Sequence, residues 1–346
     1  MSIKPKKLQK GDTIAIISPS WGGPSIFPHV YESGIKTLEN LGFKIKEYPS
    51  ARKEAEYTYN NPEFRAKDIN DAFADSEVSA IITSIGGDDT IRILQFLDLN
   101  TILKNPKIIM GYSDATTINT YLNQHGLVTF NGPSVMGGFS QWDALGEKFH
   151  KHIKSILFDN PQAYLYETYD SYADGYLDWN DKNNTGKTKP LSINSGWNWL
   201  QGNSTVSGEL FGGCFDVLEM MKSTIFWPSL DFWNGKILFL ETSEDKPGPD
   251  QVKYMLRNYG IQGVFNKISA LLIGRPRDYS EAEKKKLDEN VLQIVTTEFG
   301  QKHLPIITNM DFGHTDPQWI LPLGIKAEIN CPDKTFKLIE KIFNDL

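Results

Sequence analysis

Cysteine is scarce. The 346 residues hold only Cys214 and Cys331, too few and too widely separated for a disulfide framework or a zinc-ligand pair, so both are expected to be buried free thiols. No apolar run approaches the roughly 18 residues that a membrane span needs. The lysine-rich first ten residues lack the apolar core of a secretory signal, and a cytoplasmic, reducing setting is the expectation. Positive charge is not in excess either: the net charge is −7, which disfavours a nucleic-acid polymer as partner but leaves small charged ligands open. The six histidines are scattered without a His-Glu-x-x-His pattern, so no metal site is implied. The junction Ser84–Thr90 has neither the Gly-Lys-Ser/Thr of a phosphate loop nor a Gly-x-Gly-x-x-Gly fingerprint, and the chain shows no internal repeat and no low-complexity segment.

What is present is an ordinary globular composition, 40% hydrophobic and 23% charged, with aromatics at 12% including eight Trp and fourteen Tyr. The length suggests two domains. Short apolar runs alternate with helical patterns through the first half. Thr13–Ile17, Phe43–Tyr48, Ala80–Ile85, Lys107–Gly111 and Val128–Phe130 read as strands; Val30–Leu41, 61–74, Thr90–Leu97 and Ala115–Asn123 read as helices. Continuous apolar strands separated by helices predict a parallel sheet covered on both faces. The expected fold class is α/β: a flavodoxin-like parallel-sheet domain over 1–160, then a mixed α+β domain over 201–346. Between them, 161–200 is rich in Tyr, Asp, Asn, Gly and Lys and reads as a linker and long substrate loop. In the last third, Ser280 and Glu283 form a capping box that opens a helix reaching Phe299.

Four glycine-rich or polar junctions follow predicted strands, where open parallel sheets bind ligands. Ser84-Ile85-Gly86-Gly87-Asp88-Asp89 could let backbone approach a ligand, or be a tight turn in which an Asp caps the next helix. Gly111-Tyr112-Ser113-Asp114-Ala115 has the strand–turn–helix setting of a nucleophile elbow, with Ala115 where the usual pattern has Gly; the plainer reading of Ser113 is a helix N-cap. Glu241 ends the apolar strand Gly235–Glu241 and needs a partner if buried. His314 sits in a loop bounded by Gly313 and Pro317, the strongest functional setting among the histidines. His150 and His152 read as solvent-exposed on a polar helix. A serine hydroxyl needs a base, and the base a carboxylate to hold its tautomer; Ser113, His314 and Glu241 supply those types. Oxyanion donors could come from the Asp114 amide and one from Gly86 or Gly87. Gly213-Cys214-Phe215 is a poor cysteine elbow, since no apolar strand runs directly into it.

These segments, with Gly11–Ala15, Ser18-Pro19-Ser20, Asn131-Gly132-Pro133, Gly208–Gly213, Leu240–Asp245 and Gly313-His314, run in order along nearly the whole chain. Together they resemble the L,D-carboxypeptidase family of serine peptidases, and within it the microcin C immunity group. The resemblance implies a Ser113–His314–Glu241 triad without cofactor, oxyanion donors at Gly87 and Asp114, and a homodimer. It also implies substrate contacts at Gly86, Asp88, Trp179 and Glu209. One branch of that family removes D-Ala from murein tetrapeptides; the immunity branch cuts the amide of an aminoacyl-nucleotide. The long 164–199 segment and the run Asp174–Asn180 are similar to the immunity branch, where a Trp stacks on the base. The alternatives are the murein substrate, and a non-catalytic nucleotide- or sugar-binding protein in which Trp179 only staples its loop.

Overall fold

A computed structural model describes residues 2–344. Five parallel strands, β1 (Thr13–Ile17), β2 (Lys44–Glu47), β3 (Val78–Thr83), β4 (Ile108–Gly111) and β5 (Thr129–Asn131), lie in the order 2-1-3-4-5 of flavodoxin-like sheets. The residues of β4 and β5 are all buried and β1 and β3 nearly so, while the edge strand β2 is exposed or half-buried along its length. That is the pattern expected when helices cover both faces. The helices Pro28–Asn40, Pro62–Ala74 and Thr116–Gln124 fall close to their expected spans. The 90–97 segment differs: it is a 3-10 run, Thr90–Phe96, rather than an α-helix.

The sheet has a sixth strand that the sequence reading did not contain. Leu321–Leu323, from far down the chain, pairs antiparallel with β5, Leu321 opposite Asn131. Three residues interrupted by Pro322 carry no periodicity, so only packing identifies them as a strand. The two halves are therefore interleaved.

The second sheet has eight strands. Thr205–Cys214, Ile237–Glu241, Ala270–Gly274 and Ile306–Met310 run parallel at its centre, flanked by antiparallel strands on both sides. This matches the mixed α+β expectation. The first half of Thr205–Cys214 pairs antiparallel with Lys326–Asn330 and is only partly buried; the second half pairs parallel with Ile237–Glu241 and is wholly buried from Leu210 onward. Alternation of side-chain type along the sequence stops at Leu210, before Gly212 and Gly213. Both glycines instead stay in the ladder. A Cβ on Gly213 would fall 2.5 Å from the Thr116 side chain. Glycine thus lets this strand touch the helix of the other sheet, and the Cys214 amide donates to Thr116 Oγ1 at 3.0 Å. Since Cys214 is in register with Glu241, that close approach brings Glu241 to the start of the Thr116 helix.

The 161–200 segment is more ordered than a linker. Ser171–Asp174 and Leu191–Ile193 form a small antiparallel sheet with Thr315–Asp316, and Asn198–Gln201 edges the larger sheet. The Ser280 capping box forms as expected, and its helix Glu281–Leu292 continues in wider turns to Glu298. No helix among the described residues is long and apolar enough to cross a membrane.

Candidate active site

The loops that leave β1, β3 and β4 meet at one end of the first sheet. After β4, Tyr112 is extended and Ser113 takes φ of 58°, a left-handed conformation that costs a non-glycine residue energy and is typical of functional turns. A short turn, Ser113–Ala115, then feeds the Thr116 helix. The N-cap position falls on Tyr112, and the Ser113 hydroxyl bonds to no group among the described residues. This is the elbow arrangement rather than a cap.

Gly86 packs directly on this serine. A Cβ at residue 86 would lie 2.8 Å from Ser113 Cβ, 3.0 Å from its Oγ and 3.4 Å from the Asp114 amide nitrogen. The Gly87 and Asp114 amides donate to no other group among the described residues. The Asp114 side chain faces the other way and accepts from Thr90 N at 2.8 Å and Thr90 Oγ1 at 2.5 Å. Asp89 does not cap its turn with its side chain. Its two oxygens take the Arg65 guanidinium at 2.7 and 2.8 Å, and Arg65 also reaches Pro19 O at 2.8 Å. One wholly buried arginine thereby ties the loop after β1 to the loop after β3.

Glu241 is fully buried at its strand end, and His314 Nδ1 lies 2.7 Å from Glu241 Oε2. Gly313 and Gly274 pack against the Glu241 side chain. A carboxylate only accepts, so Nδ1 carries the proton and Nε2 is left as acceptor. Burial opposes charging His314, but the Glu241 charge and hydrogen bond, helped by Glu244, outweigh it; the imidazole pKa lies above its ordinary value.

Ser113 and His314 line a common cavity of about 330 Å³ with Trp21, Gly86, Gly87, Asp88, Tyr176, Trp179 and Glu244. Its aromatic wall is built outward from the first sheet. Trp179 packs edge-on against Phe27 at 5.5 Å and lies 5.3 Å from the Tyr176 ring, and His29 Nε2 bonds the Trp179 carbonyl at 3.0 Å. Two roomier surface clefts, about 590 and 760 Å³, lie elsewhere and hold neither Ser113 nor His314.

Of the residues singled out from sequence, Ser113, His314, Gly86, Gly87, Asp88 and Trp179 share this cavity, and Glu241 stands behind His314. Glu209 does not line it: its carboxylate pairs with Lys236 on the second sheet. Cys214 does follow a strand directly, contrary to expectation, but burial and the neighbouring Glu241 and Asp216 charges push its thiol well above the ordinary range. His152 is buried rather than exposed; it accepts from the Ile320 amide at 2.7 Å, and burial holds its pKa near 3. Trp21, Tyr112, Tyr176 and the Arg65–Asp89 fork escaped the sequence reading. For Arg65–Asp89 the available signal was an arginine on the apolar-side positions of the Pro62–Ala74 helix, facing an Asp-rich loop.

Profiles of the LD-carboxypeptidase N-terminal and C-terminal domains match residues 14–132 and 207–329. The Microcin C7 self-immunity protein MccF of Escherichia coli is 28% identical over 96% of this chain and 95% of its own. A structure of MccF in complex with glutamyl sulfamoyl guanosine superposes with a TM-score of 0.88 over 99% of this chain and 100% of that one, at 27% identity. The MccF-like protein from Streptococcus pneumoniae, in complex with AMP, gives 0.84 at 30% identity over 95% of this chain and 98% of that one. A probable murein peptide carboxypeptidase of Bacillus subtilis is 28% identical over 97% of this chain and 94% of its own. The chain belongs to the LD-carboxypeptidase family.

Proposed function

We propose that this protein is a serine hydrolase that cleaves the amide of an aminoacyl- or peptidyl-nucleotide, with Ser113 as nucleophile, His314 as base and Glu241 as its orienting carboxylate. The carrying observation is that one cavity holds a left-handed elbow serine, a histidine fixed by a buried carboxylate, and the Trp179 ring. Ser113 Oγ attacks the acyl carbon while its proton passes to His314 Nε2. The tetrahedral oxyanion is received by the Gly87 and Asp114 amides, which have no other partner to give up among the described residues. His314 returns the proton to the leaving nitrogen, the C–N bond breaks, and an acyl-Ser113 ester remains. Water, activated by His314, then releases the acid and restores the serine.

Trp179 and Tyr176 offer flat faces on which a nucleobase stacks, a contact worth about 1–3 kcal/mol. MccF and its Streptococcus relative, each in complex with a nucleotide or nucleoside derivative, support this substrate class. The Bacillus relative, equally similar, keeps a murein tetrapeptide as the second reading. The test is product mass spectrometry with a panel of aminoacyl sulfamoyl adenosines and a murein tetrapeptide, for wild type and Ser113→Ala. The reading expects nucleoside release that Ser113→Ala abolishes. D-Ala release alone selects the murein substrate. Binding without turnover or phosphonate labelling of Ser113 leaves a non-catalytic binding protein.

A further inference from the structure

The catalytic steps leave the charge of the cavity without a use. Asp88, Glu244 and Asp245 all line it, and among the described residues no lysine or arginine does. They come from two walls: Asp88 follows Gly87 on the loop after β3, while Glu244 and Asp245 follow Glu241 at the end of its strand. The carboxylates differ in what they hold. Glu244 pairs with Arg277 Nη1 at 3.0 Å, and the same guanidinium takes Asp278 at 3.1 Å. That guanidinium lies over the Tyr176 ring at 5.5 Å and is packed so tightly on Gly175 that a Cβ there would fall 2.5 Å from its Nε. Lys246, next to Asp245 in sequence, pairs with Glu283 at 3.2 Å. Both nearby cations are thus engaged. The side chains of Asp88 and Asp245 have no hydrogen bond or ion pair among the described residues, and both residues are exposed. The acids are not gathered for a metal: among the described residues no three His, Cys, Asp or Glu are grouped to hold one. Nor do the acids alone mark the cavity as a site. Ser113 lines it, and so does His314, 4% exposed, with an Nε2 that no described residue bonds.

We propose that Asp88 and Asp245 select a substrate whose acyl residue carries a cationic side chain, an ammonium or guanidinium, and reject one whose acyl residue is acidic. A cleft lined by one sign of charge concentrates the opposite sign and repels its own. The leaving half of the proposed substrate cannot supply the positive charge, because a phosphoramidate or sulfamate is neutral or anionic and a purine is neutral. The acyl half can. Its α-ammonium meets one free carboxylate, and the second is left for a side-chain cation. Glu244 adds no third attraction, since Arg277 already neutralises it.

This selectivity rests on the reading of Ser113 as nucleophile but not on the nucleotide, and two substrate series separate them. Each has lysine, norleucine and glutamate side chains with the same free α-amine. Aminoacyl sulfamoyl adenosines are read as kcat/KM; 1-aminoalkyl phosphonate diphenyl esters, which carry no nucleoside, are read as the second-order rate of Ser113 labelling. In both, the lysine member exceeds norleucine about tenfold, as one ammonium facing two partly screened carboxylates gives. It exceeds glutamate about 100-fold, because repulsion replaces attraction. In the double variant Asp88→Asn, Asp245→Asn both ratios fall to within about threefold of one. Equal rates or a glutamate preference in either wild-type series, or ratios unchanged in the double variant, overturn the proposal. If the double variant does not fold, the wild-type order decides alone. A lysine preference in labelling, with no aminoacyl sulfamoyl adenosine turned over, upholds the cationic acyl residue and removes the nucleotide reading instead. Labelling of Ser113 by none of the three phosphonates removes the hydrolase, and this selectivity with it.

Discussion

Gly86 and Ser113 are packed so closely that one added methyl on residue 86 would sit 3.0 Å from the Ser113 hydroxyl oxygen and 2.8 Å from its Cβ. Neither backbone can yield freely, since the elbow is held in a left-handed turn and the glycine loop is anchored through Asp89 to a buried arginine. Gly86→Ala is therefore expected to displace the hydroxyl by a fraction of an ångström to an ångström. Misplacement on that scale costs on the order of 100-fold in rate. The second-order rate of Ser113 labelling by a phosphonate should fall by about that factor while the denaturation midpoint changes little.

Glu241 acts on His314 in two ways that one substitution separates from folding. Glu241→Gln keeps the shape but offers an amide that favours the wrong imidazole tautomer, and we expect kcat to fall on the order of 10³–10⁴-fold. The pH profile should move as well. In the wild type the basic form of His314 is reached only above the ordinary value near 6.5, so kcat/KM rises on a limb displaced upward. In Glu241→Gln the burial effect alone remains, and the limb should shift downward. A limb at the same pH in both proteins would remove Glu241 from this role.

The same pair contributes to stability with a definite sign. Because the folded His314 pKa is raised, its stabilisation is complete below about 6.5 and is lost as pH rises through the folded value. The stability difference between wild type and Glu241→Gln, measured by urea unfolding, should therefore be larger at pH 5.5 than at pH 9.

Arg65 is a fully buried cation whose fork is spent on Asp89. Arg65→Met leaves that carboxylate buried with Arg92 as its one cationic partner among the described residues. Breaking such a pair costs about 3–5 kcal/mol. A loss of unfolding free energy of that size, read from urea unfolding, is expected, together with slower labelling of Ser113 in the folded protein, because the loops after β1 and β3 lose their common anchor.

Trp179 tests the base-stacking role directly. Trp179→Ala should raise KM for aminoacyl sulfamoyl adenosines by the equivalent of about 1–3 kcal/mol, with kcat nearly unchanged. Equal losses on a substrate that lacks a base would show that the ring only braces its loop against Phe27 and Tyr176.

The strand–loop–helix units were legible because their signals are local. The apolar run 108–111 and the polar turn at Ser113 lie within a few residues of each other, and so do Ser280 and Glu283 in their capping box. Glu209 shows the limit. It stands in a segment rich in glycine and close to the site in sequence order, but the antiparallel half of its strand carries it to Lys236 instead. His152 shows another: its helix looks polar, yet the incoming Ile320 covers it.

The order of residues was enough to determine the parallel sheet, the elbow type at Ser113 and the residue types available to serve it, because each depends on neighbours along the chain. Tertiary structure alone decided that Glu241 holds His314 and that Arg65 clamps Asp89. It also decided that Tyr112 meets Tyr176 and that Leu321–Leu323 completes a sheet begun at Thr13. Each of these joins residues far apart in sequence, and their separation becomes contact only where close packing, as at Gly213 on Thr116, removes the space between the two sheets.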